Sequence, residues 1–402
     1  MSNKAKTPLV PKLRFPQFKN SDEWSPQDLG DCLDYLQPTE YLVNSTAYND
    51  KHETPVVTAG KTFILGYTNE TEGVFNEPLP VIIFDDFTTA SQFVDFPFKA
   101  KSSAMKILLA KKNANIKFLY ESMQQINYEV GAHGRHWISA YSRIKVAVPE
   151  PSEQQKIADC LSSLDELIAA QARKVDALKT HKKGLMQQLF PRGGETQPRL
   201  RFPEFRDADE WEERKLGTIC EIQRGRFSHR PRNDPRFFGG RYPFIQTGDV
   251  VKSGGGEITA SQSLNEEGLA VSKLFKPPIV LITIAANIGD TGLLQAEGCF
   301  TDSVAGLIPK KDVITVFLEL IMRGQKDYLN KVATTGAQKN INNEILREVN
   351  VLLPAVPEQQ RIADCLTSLD TFITAATQEL ETLKTHKKGL MQQLFPQGEA
   401  LS

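Results

Sequence analysis

The chain has 402 residues, of which 40% are hydrophobic, which is enough material for the cores of two or three domains. Its 48 basic and 49 acidic side chains leave a net charge of −1, which excludes a general polyanion binder and confines any nucleic-acid surface to a local patch. The five cysteines form no CxxC pair, and no signal peptide or bilayer-length apolar run occurs. We therefore expect a cytoplasmic protein without a membrane anchor, disulfide framework or zinc site.

One short signature occurs twice. PKLRFPQF spans residues 11–18 and PRLRFPEF spans residues 198–205, and each copy is followed by Glu-Trp and then Leu-Gly. The blocks behind the two copies, about 31–148 and 218–353, show no similarity by eye. A repeated frame therefore holds two different inserts. We expect residues 1–12, ahead of the first frame, to be disordered.

Both blocks contain short apolar runs that predict strands. The runs are rich in β-branched and aromatic residues, and glycines and prolines punctuate the sequence between them. Each block also ends in an apolar run, so we predict two mixed α/β domains at 13–148 and 201–353. The clearest strand candidates are 55–58 and 80–84 in the first block, and 242–245 and 279–284 in the second.

The first block carries basic and aromatic side chains of the kind that bind nucleic acid. They lie in two segments, FKAKSSAMK and GAHGRHWISAYSR. The candidate DNA contacts are Lys99, Lys101, Arg135, His136, Trp137 and Arg143.

An acidic pair, Asp85 and Asp86, follows the predicted strand that ends at Phe84. Paired carboxylates at a strand end can hold Mg²⁺. No third ligand and no lysine at nuclease spacing accompany them, so a solvated turn or partners for nearby lysines is the simpler interpretation. The chain also lacks GxxxxGK[ST], GxGxxG, HExxH, GxSxG and NPPF-like motifs. We expect no catalytic residue and no metal site.

A longer segment is repeated as well, at 153–191 and again at 358–396, without a gap at an offset of 205 residues. Neither copy contains a proline before its last residue, so each predicts one long helix that ends at that proline. We assign the helices to 149–191 and 354–396, the linker to 192–200 and the tail to 397–402.

The two helices carry a heptad seam, in which apolar residues recur at spacings of three and four. The seam is polar only at Gln171, Lys182 and Lys387. A seam of this length favours an antiparallel coiled coil between the two helices over the alternative that each helix packs on its own domain. The residues that we assign to the subunit-docking helices are Ile157, Leu161, Leu164, Ile168, Ile362, Leu366, Leu369 and Ile373.

The second block has the denser basic cluster. Residues 224–241 read RGRFSHRPRNDPRFFGGR, with six arginines against one acid. Arginine binds guanine edges and phosphates, whereas the alternative is a solvated loop. Residues 334–345, TTGAQKNINNEI, offer amide donors that suit adenine, or else form a polar loop that caps a helix. The candidate contacts are Arg224, Arg226, Arg230, Arg232, Gln338, Lys339, Asn340 and Asn342.

Together these features resemble the specificity subunits of type I restriction–modification systems. The resemblance is carried by the repeated LRFPxF signature, by YPFIQTGDV, ANIGDTG and GAQKNI in the second block, and by PxxPEQQRIAD before the second helix. QPTEYLV, TAGKTFILGYTNE and IIFDDFTTA add to it in the first block, which lacks the YPFIQTGD form. These motifs span nearly the whole chain.

The resemblance implies an α+β architecture with two target-recognition domains, two long helices and a pseudo-twofold internal repeat. Each domain would read one half of a split, asymmetric site in double-stranded DNA. The helices would set the distance between the domains and dock two methyltransferase subunits, which carry S-adenosylmethionine. Restriction subunits would supply the ATP- and Mg²⁺-dependent motor and nuclease, and this chain would bind no cofactor and catalyse no reaction.

Two other classes of function stay open at this point. One is a specificity component of a type II-like fused restriction–methylation enzyme, which would have different partners. The other is a stand-alone Mg²⁺-dependent nuclease centred on Asp85 and Asp86.

Overall fold

The computed structural model describes residues 9–130, 134–334 and 340–396. The chain divides into two compact units, the first formed by residues up to 174 together with those from 376 onward, and the second by residues 175–375. The first unit thus combines the first block with the start of one long helix and the end of the other. The second unit combines the second block with the two remaining helix segments.

The first unit contains nine strands and three short helices in its described residues, and the first long helix begins in it. Short 3-10 turns lie at Pro16–Phe18, Pro38–Tyr41 and Tyr141–Arg143. The strands are β1 (Ser25–Asp28), β2 (Leu33–Leu36), β3 (Thr54–Val57), β4 (Ile64–Thr68), β5 (Val81–Asp85), β6 (Ser91–Val94), β7 (Lys99–Ala100), β8 (Met105–Ala110) and β9 (Lys145–Val148). The helices are α1 (Leu29–Cys32), α2 (Ile116–Met123), α3 (His136–Ser139) and α4 (Pro151–Leu189).

The second unit contains ten strands in its described residues, and the second long helix begins in it. Short 3-10 turns lie at Pro203–Phe205 and Pro235–Phe237. The strands are β10 (Glu212–Lys215), β11 (Cys220–Arg224), β12 (Phe238–Ile245), β13 (Gln262–Leu264), β14 (Leu274–Phe275), β15 (Ile279–Thr283), β16 (Thr291–Leu294), β17 (Gly298–Phe300), β18 (Val304–Pro309) and β19 (Asn350–Leu353). The helices are α5 (Leu216–Ile219), α6 (Thr247–Ser253), α7 (Glu266–Ala270), α8 (Thr315–Gly324), α9 (Lys326–Thr334), α10 (Asn343–Arg347) and α11 (Val356–Leu394).

The two blocks have the same sheet topology although their sequences differ. The main sheet of the first unit is antiparallel in the order β2-β8-β5-β6, and that of the second is antiparallel in the order β11-β18-β15-β16. A smaller sheet in each unit contains one parallel pair, β3 with β7 and β12 with β17. A two-stranded ribbon, β1 with β9 or β10 with β19, joins the start of each block to its end. The predicted mixed α/β class is confirmed in both units.

The repeated LRFP signature connects the two long helices inside each unit. In the first unit, the Arg14 guanidinium donates hydrogen bonds of 2.8 and 2.7 Å to the two carboxylate oxygens of Glu153, near the start of α4. The backbone N–H of Leu13 donates to the carbonyl of Gln393, near the end of α11. Both side chains of the ion pair are buried, and the hydrogen bond to Glu153 raises the pKa of Arg14. The signature therefore staples the start of one helix to the end of the other.

The second unit repeats this staple. Arg201 donates hydrogen bonds of 2.8 and 2.7 Å to the carboxylate of Glu358, and the N–H of Leu200 donates to the carbonyl of Gln188. Because the staple joins a helix start to a helix end in both units, the helices are antiparallel.

Hydrogen bonds in the seam support the same orientation. In the first unit Gln171 donates to the carbonyl of Ala376 at 2.9 Å and to Glu379 at 2.8 Å, and Lys387 binds Asp165 at 2.6 Å. In the second unit Lys182 pairs with Asp370. All three polar seam positions are thus bonded to the facing helix, and such polar pairs specify the register of a coiled coil.

Each helix also packs on the core of a block, so both interpretations of the seam are correct. In the first unit Ile157 and Leu161 share a core with Leu394 and Phe395 at the end of the other helix. In the second unit Ile362, Leu366 and Leu369 share a core with Leu189 in the same way. Leu164 is buried, and Ile168 and Ile373 are half-buried. We correct the assignment of Ile157, Leu161, Ile362 and Leu366 to subunit docking, because their side chains are consumed by the chain's own core.

The predicted disordered start extends too far. Leu9 is buried in the core of the first unit, and its carbonyl accepts a hydrogen bond from the N–H of Trp24. Residues 9–12 are therefore part of the fold, because the apolar side chain of Leu9 packs into the core of the first unit. The predicted tail, 397–402, lies outside the described residues.

Candidate nucleic-acid interface

One edge of the main sheet in the second unit brings distant motifs together. In an antiparallel sheet, the end of each strand lies beside the start of its neighbour. β11 ends at Arg224 and β15 ends at Thr283, beside the starts of β18 at Val304 and of β16 at Thr291. We call this side, defined by those four residues, the loop edge of the second unit. The arginine-rich segment and the ANIGDTG motif both emerge there.

The segment that ends in the 340 region joins the same edge. Asn340 forms a β-bridge with Ala285, and the N–H of Ile341 donates to the carbonyl of Ile284 at 2.9 Å. Within ANIGDTG, Gly289 has a φ of +85°, which favours glycine, and Asp290 binds Lys326 at 2.6 Å. Three segments far apart in sequence therefore meet at one edge.

Asp302 organises most of the arginine cluster. Arg232 lies 2.7 Å and Arg230 lies 3.3 Å from its carboxylate, and Arg224 donates to its backbone carbonyl. The Arg226 side chain is exposed and has no hydrogen-bond or ion-pair partner in the described part of the chain, while its backbone N–H donates to Phe300. Arg226 is therefore a free guanidinium on a fixed backbone. Sequence reasoning missed Asp302, because no local pattern links it to arginines about 70 residues earlier.

Aromatic residues between the arginines form core rather than surface. Phe227 and Phe237 are buried, and their ring centroids lie 5.9 Å apart. Phe227 also packs on Phe244 of β12 at 5.1 Å. These rings anchor the segment to the smaller sheet, so its charged side chains are presented from a firm support.

The amide-rich loop is only partly described. Asn340 is exposed at the loop edge. Asn342 caps α10, because its side-chain oxygen accepts a hydrogen bond of 2.8 Å from the N–H of Ile345, as the capping interpretation requires. Gln338 and Lys339 lie outside the described residues, so their predicted DNA contacts stay predictions.

The first unit has an equivalent loop edge, where β2 ends at Leu36 and β5 ends at Asp85, beside the starts of β8 at Met105 and of β6 at Ser91. The 135–137 segment is bound to it by the backbone of His136, whose N–H donates to the carbonyl of Asp86 at 2.9 Å. That bond matches the one from Ile341 to Ile284, so the exposed residues Arg135 and Asn340 occupy equivalent places. Lys101, which is half-buried, follows β7 toward the same edge.

The loop edge of the first unit also contains residues that sequence reasoning missed. Gln37 follows β2 and is exposed. Gln37 and Arg224 lie the same number of residues after the Leu-Gly of their signatures. A comparison of the two repeats therefore identifies Gln37 as the counterpart of Arg224. Phe87 and Ile138 are exposed as well. No sequence pattern distinguishes these two from core residues.

Four of the predicted contacts in the first unit are corrected. Lys99 is buried, lies 3.0 Å from Glu70 and donates to the carbonyl of Glu72. His136 is buried beside Tyr128, and Trp137 is buried beside Phe84 and Tyr141. Arg143 is exposed but lies next to α1, at the opposite end of the sheet, where Leu29 bonds to Ile144. The residues removed from the interface are Lys99, His136, Trp137 and Arg143.

The acidic pair serves the fold. Asp86 is buried, lies 3.3 Å from the ammonium of Lys106 and accepts a hydrogen bond from the N–H of Trp137. Asp85 accepts from the N–H groups of Phe87 and Thr88 and so caps the turn between β5 and β6. No cluster of three metal-binding side chains occurs in residues 9–130, 134–334 and 340–396. The carboxylates of Asp85 and Asp86 are thus engaged by groups of the chain's own fold.

Across the same described ranges, no helix has the length and apolar character needed to span a membrane.

Comparison with known proteins gives one consistent result. The family model for the type I restriction modification DNA specificity domain matches residues 21–180 and again residues 208–385. The EcoR124I/EcoR124II specificity subunit of Escherichia coli is 32% identical over 379 residues, which cover 89% of each chain. A putative MjaX specificity subunit of Methanocaldococcus jannaschii is 25% identical over 254 residues, which cover 63% of this chain and 58% of that one.

A solved structure shares the fold. The S subunit of the type I restriction–modification system of M. genitalium matches with a TM-score of 0.66 at 15% identity, covering 96% of this chain and 99% of that chain. The two matched domains, the overall identity to the Escherichia coli protein and the shared fold agree. The chain belongs to the type I restriction–modification specificity subunits, the non-catalytic components that recognise the DNA target.

Proposed function

We propose that the two loop edges read the two halves of one split, asymmetric DNA site. The observation that supports this is their equivalence: one strand order presents different side chains at matching positions. Arg224 in the second unit corresponds to Gln37 in the first, and Asn340 corresponds to Arg135. Because the donor patterns differ, the two half-sites differ too.

Within this proposal, the second unit reads guanine. Arginine binds the O6 and N7 atoms of guanine with two parallel hydrogen bonds, and Arg226 has its guanidinium free for this contact. Arg230 and Arg232 are held by Asp302, which leaves donors for phosphate oxygens. The loop edge of the second unit therefore presents positive charge locally, although the whole chain has a net charge of −1.

We further propose that two methyltransferase subunits dock on the outward faces of the long helices, one on each unit. Leu167 in the first unit and Phe372 in the second stand at the same position of the repeat and are 56% and 61% exposed. Exposed apolar side chains at matching positions suit two copies of one partner. In that assembly the methyltransferase subunits carry S-adenosylmethionine, and restriction subunits carry ATP and Mg²⁺.

The test of half-site reading is methylation mapping. The chain is co-expressed with its methyltransferase subunits, and methylated adenines are mapped for the wild type and for Arg226→Ala. We expect the variant to relax one position of one half-site, with discrimination against the wrong base reduced by about 1–3 kcal/mol. Arg143→Ala is the control, because Arg143 is exposed at the opposite end of the sheet. Unchanged specificity in Arg226→Ala would mean that Arg226 belongs to a solvated loop and does not contact a base.

A further inference from the structure

Two exposed apolar side chains lie at the loop edge of the first unit. Phe87 is 46% exposed and Ile138 is 53% exposed. Phe87 directly follows Asp86, and Ile138 directly follows His136 and Trp137, whose N–H groups donate to the Asp86 carbonyl and carboxylate at 2.9 and 2.8 Å. One buried aspartate therefore fixes the backbone immediately before each of the two apolar residues.

The fold itself does not require apolar residues at these two places. In the second unit Ile284 takes the place of Asp86, and its carbonyl accepts the hydrogen bond from Ile341 that corresponds to the one from His136. Counting from these anchors, Phe87 corresponds to Ala285 and Ile138 corresponds to Asn343. A small residue and an amide fill the same positions of the same topology, so the apolar character of the first unit has another cause.

Cationic and amide groups at the same edge identify the occupant. Arg135 and Lys101 stand at this edge, and Gln37 directly follows β2, the strand two places from β5 in the sheet. Basic groups hold phosphates, and amides bind adenine edges, so the edge as a whole suits the major groove of DNA. The apolar pair lies among these cationic and amide groups, so one DNA surface accounts for both.

Among the four bases, only thymine displays an apolar group in the major groove, its C5-methyl. We propose that Phe87 and Ile138 form an apolar contact with the C5-methyl group of a thymine in the half-site read by the first unit. This inference rests on the proposed function, because it assumes that the loop edge meets DNA. It adds the identity of a base and of the two side chains that select it.

The experiment removes the methyl group from the DNA. The full chain, assembled with its methyltransferase subunits, is bound to duplexes in which each thymine of the first half-site is replaced in turn by deoxyuridine, which differs only by that methyl. The first half-site is the one whose sequence Arg226→Ala leaves unchanged. We expect one replacement to weaken binding about fourfold, the factor that burying one methyl group supplies.

Variants assign the contact to the two side chains. Phe87→Ala and Ile138→Ala should weaken binding to thymine DNA and should abolish the effect of the deoxyuridine replacement. Deoxyuridine in the second half-site is the internal control and should change nothing, whereas 7-deazaguanine there should weaken binding by removing the N7 acceptor. The wild-type comparison needs no variant, so a variant that fails to fold does not prevent the test.

The outcomes separate this inference from the proposed function. If the wild type binds its site specifically and no deoxyuridine in the first half-site weakens binding, the methyl contact is wrong and half-site reading stands. The assignment is also overturned if deoxyuridine weakens binding equally in the wild type and in both variants. If the wild type shows no sequence-specific binding at all, the proposed function itself fails.

Discussion

The two units share a frame and differ at one edge. In both, an arginine of the signature binds a buried glutamate at the start of a long helix, and the same sheet order follows. At the loop edge, by contrast, the first unit presents Phe87 and Ile138 where the second presents Ala285 and Asn343. The difference teaches that the repeated residues specify the architecture, while the two units differ in the side chains that their loop edges expose.

The largest expected effect tests whether the frame is self-complementary. The core of the first unit receives Leu394 and Phe395 from the second helix, and the first helix has the same residue types at Leu189 and Phe190. A fragment of residues 1–198 should therefore form an antiparallel dimer in which each copy supplies its helix end to the other. Sedimentation equilibrium measures whether the fragment is a monomer or a dimer.

Leu189→Asp in the same fragment is the matched control and should abolish the dimer, because it places a charge in the shared core. A folded wild-type fragment that stays monomeric would mean that the two helix ends are not interchangeable.

The next effect compares the two staples. Arg14→Ala and Arg201→Ala each leave a buried glutamate, Glu153 or Glu358, without its partner, which costs about 3–5 kcal/mol. Hydrogen exchange followed in each unit under rising urea should show that each variant loosens its own unit. Arg199→Ala removes an exposed pair with Glu195 and should leave exchange in both units close to that of the wild type. Similar exchange in the wild type and both staple variants would refute the role of the signature.

A smaller effect concerns the docking faces. Leu167→Asp and Phe372→Asp should each weaken the binding of one of the two methyltransferase subunits by about 2 kcal/mol, as expected for an interface anchor. Native mass spectrometry should then report one bound subunit in place of two. Tyr328→Asp alters an equally exposed aromatic side chain outside the long helices and should leave two subunits bound.

The smallest effect separates the units by pH. Burial disfavours the charged form of Asp165, but hydrogen bonds from Lys117 and Lys387 outweigh burial and hold its pKa below the usual range. A lowered folded-state pKa stabilises the fold above the unfolded value, near 4, and the contribution is lost as the pH falls through the folded value. The first unit should therefore loosen in acid, and Asp165→Asn should flatten that dependence in unfolding curves from pH 6 to pH 3.

Val316 in the second unit corresponds to Lys117 in the first, because Gln154 and Gln359 bind the backbone N–H groups of Asn115 and Ile314, two residues ahead. The Lys117 contact is thus specific to the first unit, whereas the Lys387–Asp165 pair recurs in the second unit as Lys182–Asp370. Equal acid sensitivity of wild type and Asp165→Asn would contradict the assignment.

Sequence reasoning succeeded where the determinants are local or repeated. The long helices follow from heptad spacing, and the structure ends them within two residues of the predicted bounds. It failed where a partner lies far along the chain: Lys99 is neutralised by Glu70, and Trp137 is enclosed by Phe84 and Tyr141. A basic or aromatic residue has the same appearance in a sequence whether its partner is DNA or the protein.

The seam shows a second kind of error. Ile157 and Leu366 were correctly predicted to be buried, but burial against the chain's own core excludes the partner that the same residues were expected to bind. Periodicity identifies which face of a helix is covered and does not identify what covers it. The outward positions, Leu167 and Phe372, are apolar exceptions on the polar face and carry the more informative signal.

The identical helix ends have an evolutionary consequence. Met186, Leu189 and Phe190 repeat as Met391, Leu394 and Phe395, and each set enters the core of the unit that its helix end reaches. A block inherited from another lineage therefore packs against the same Met, Leu and Phe side chains, provided that it retains the signature and the strand order. Genetic exchange between the repeated segments can therefore replace one block as a cassette and leave the helical frame of the fold unchanged.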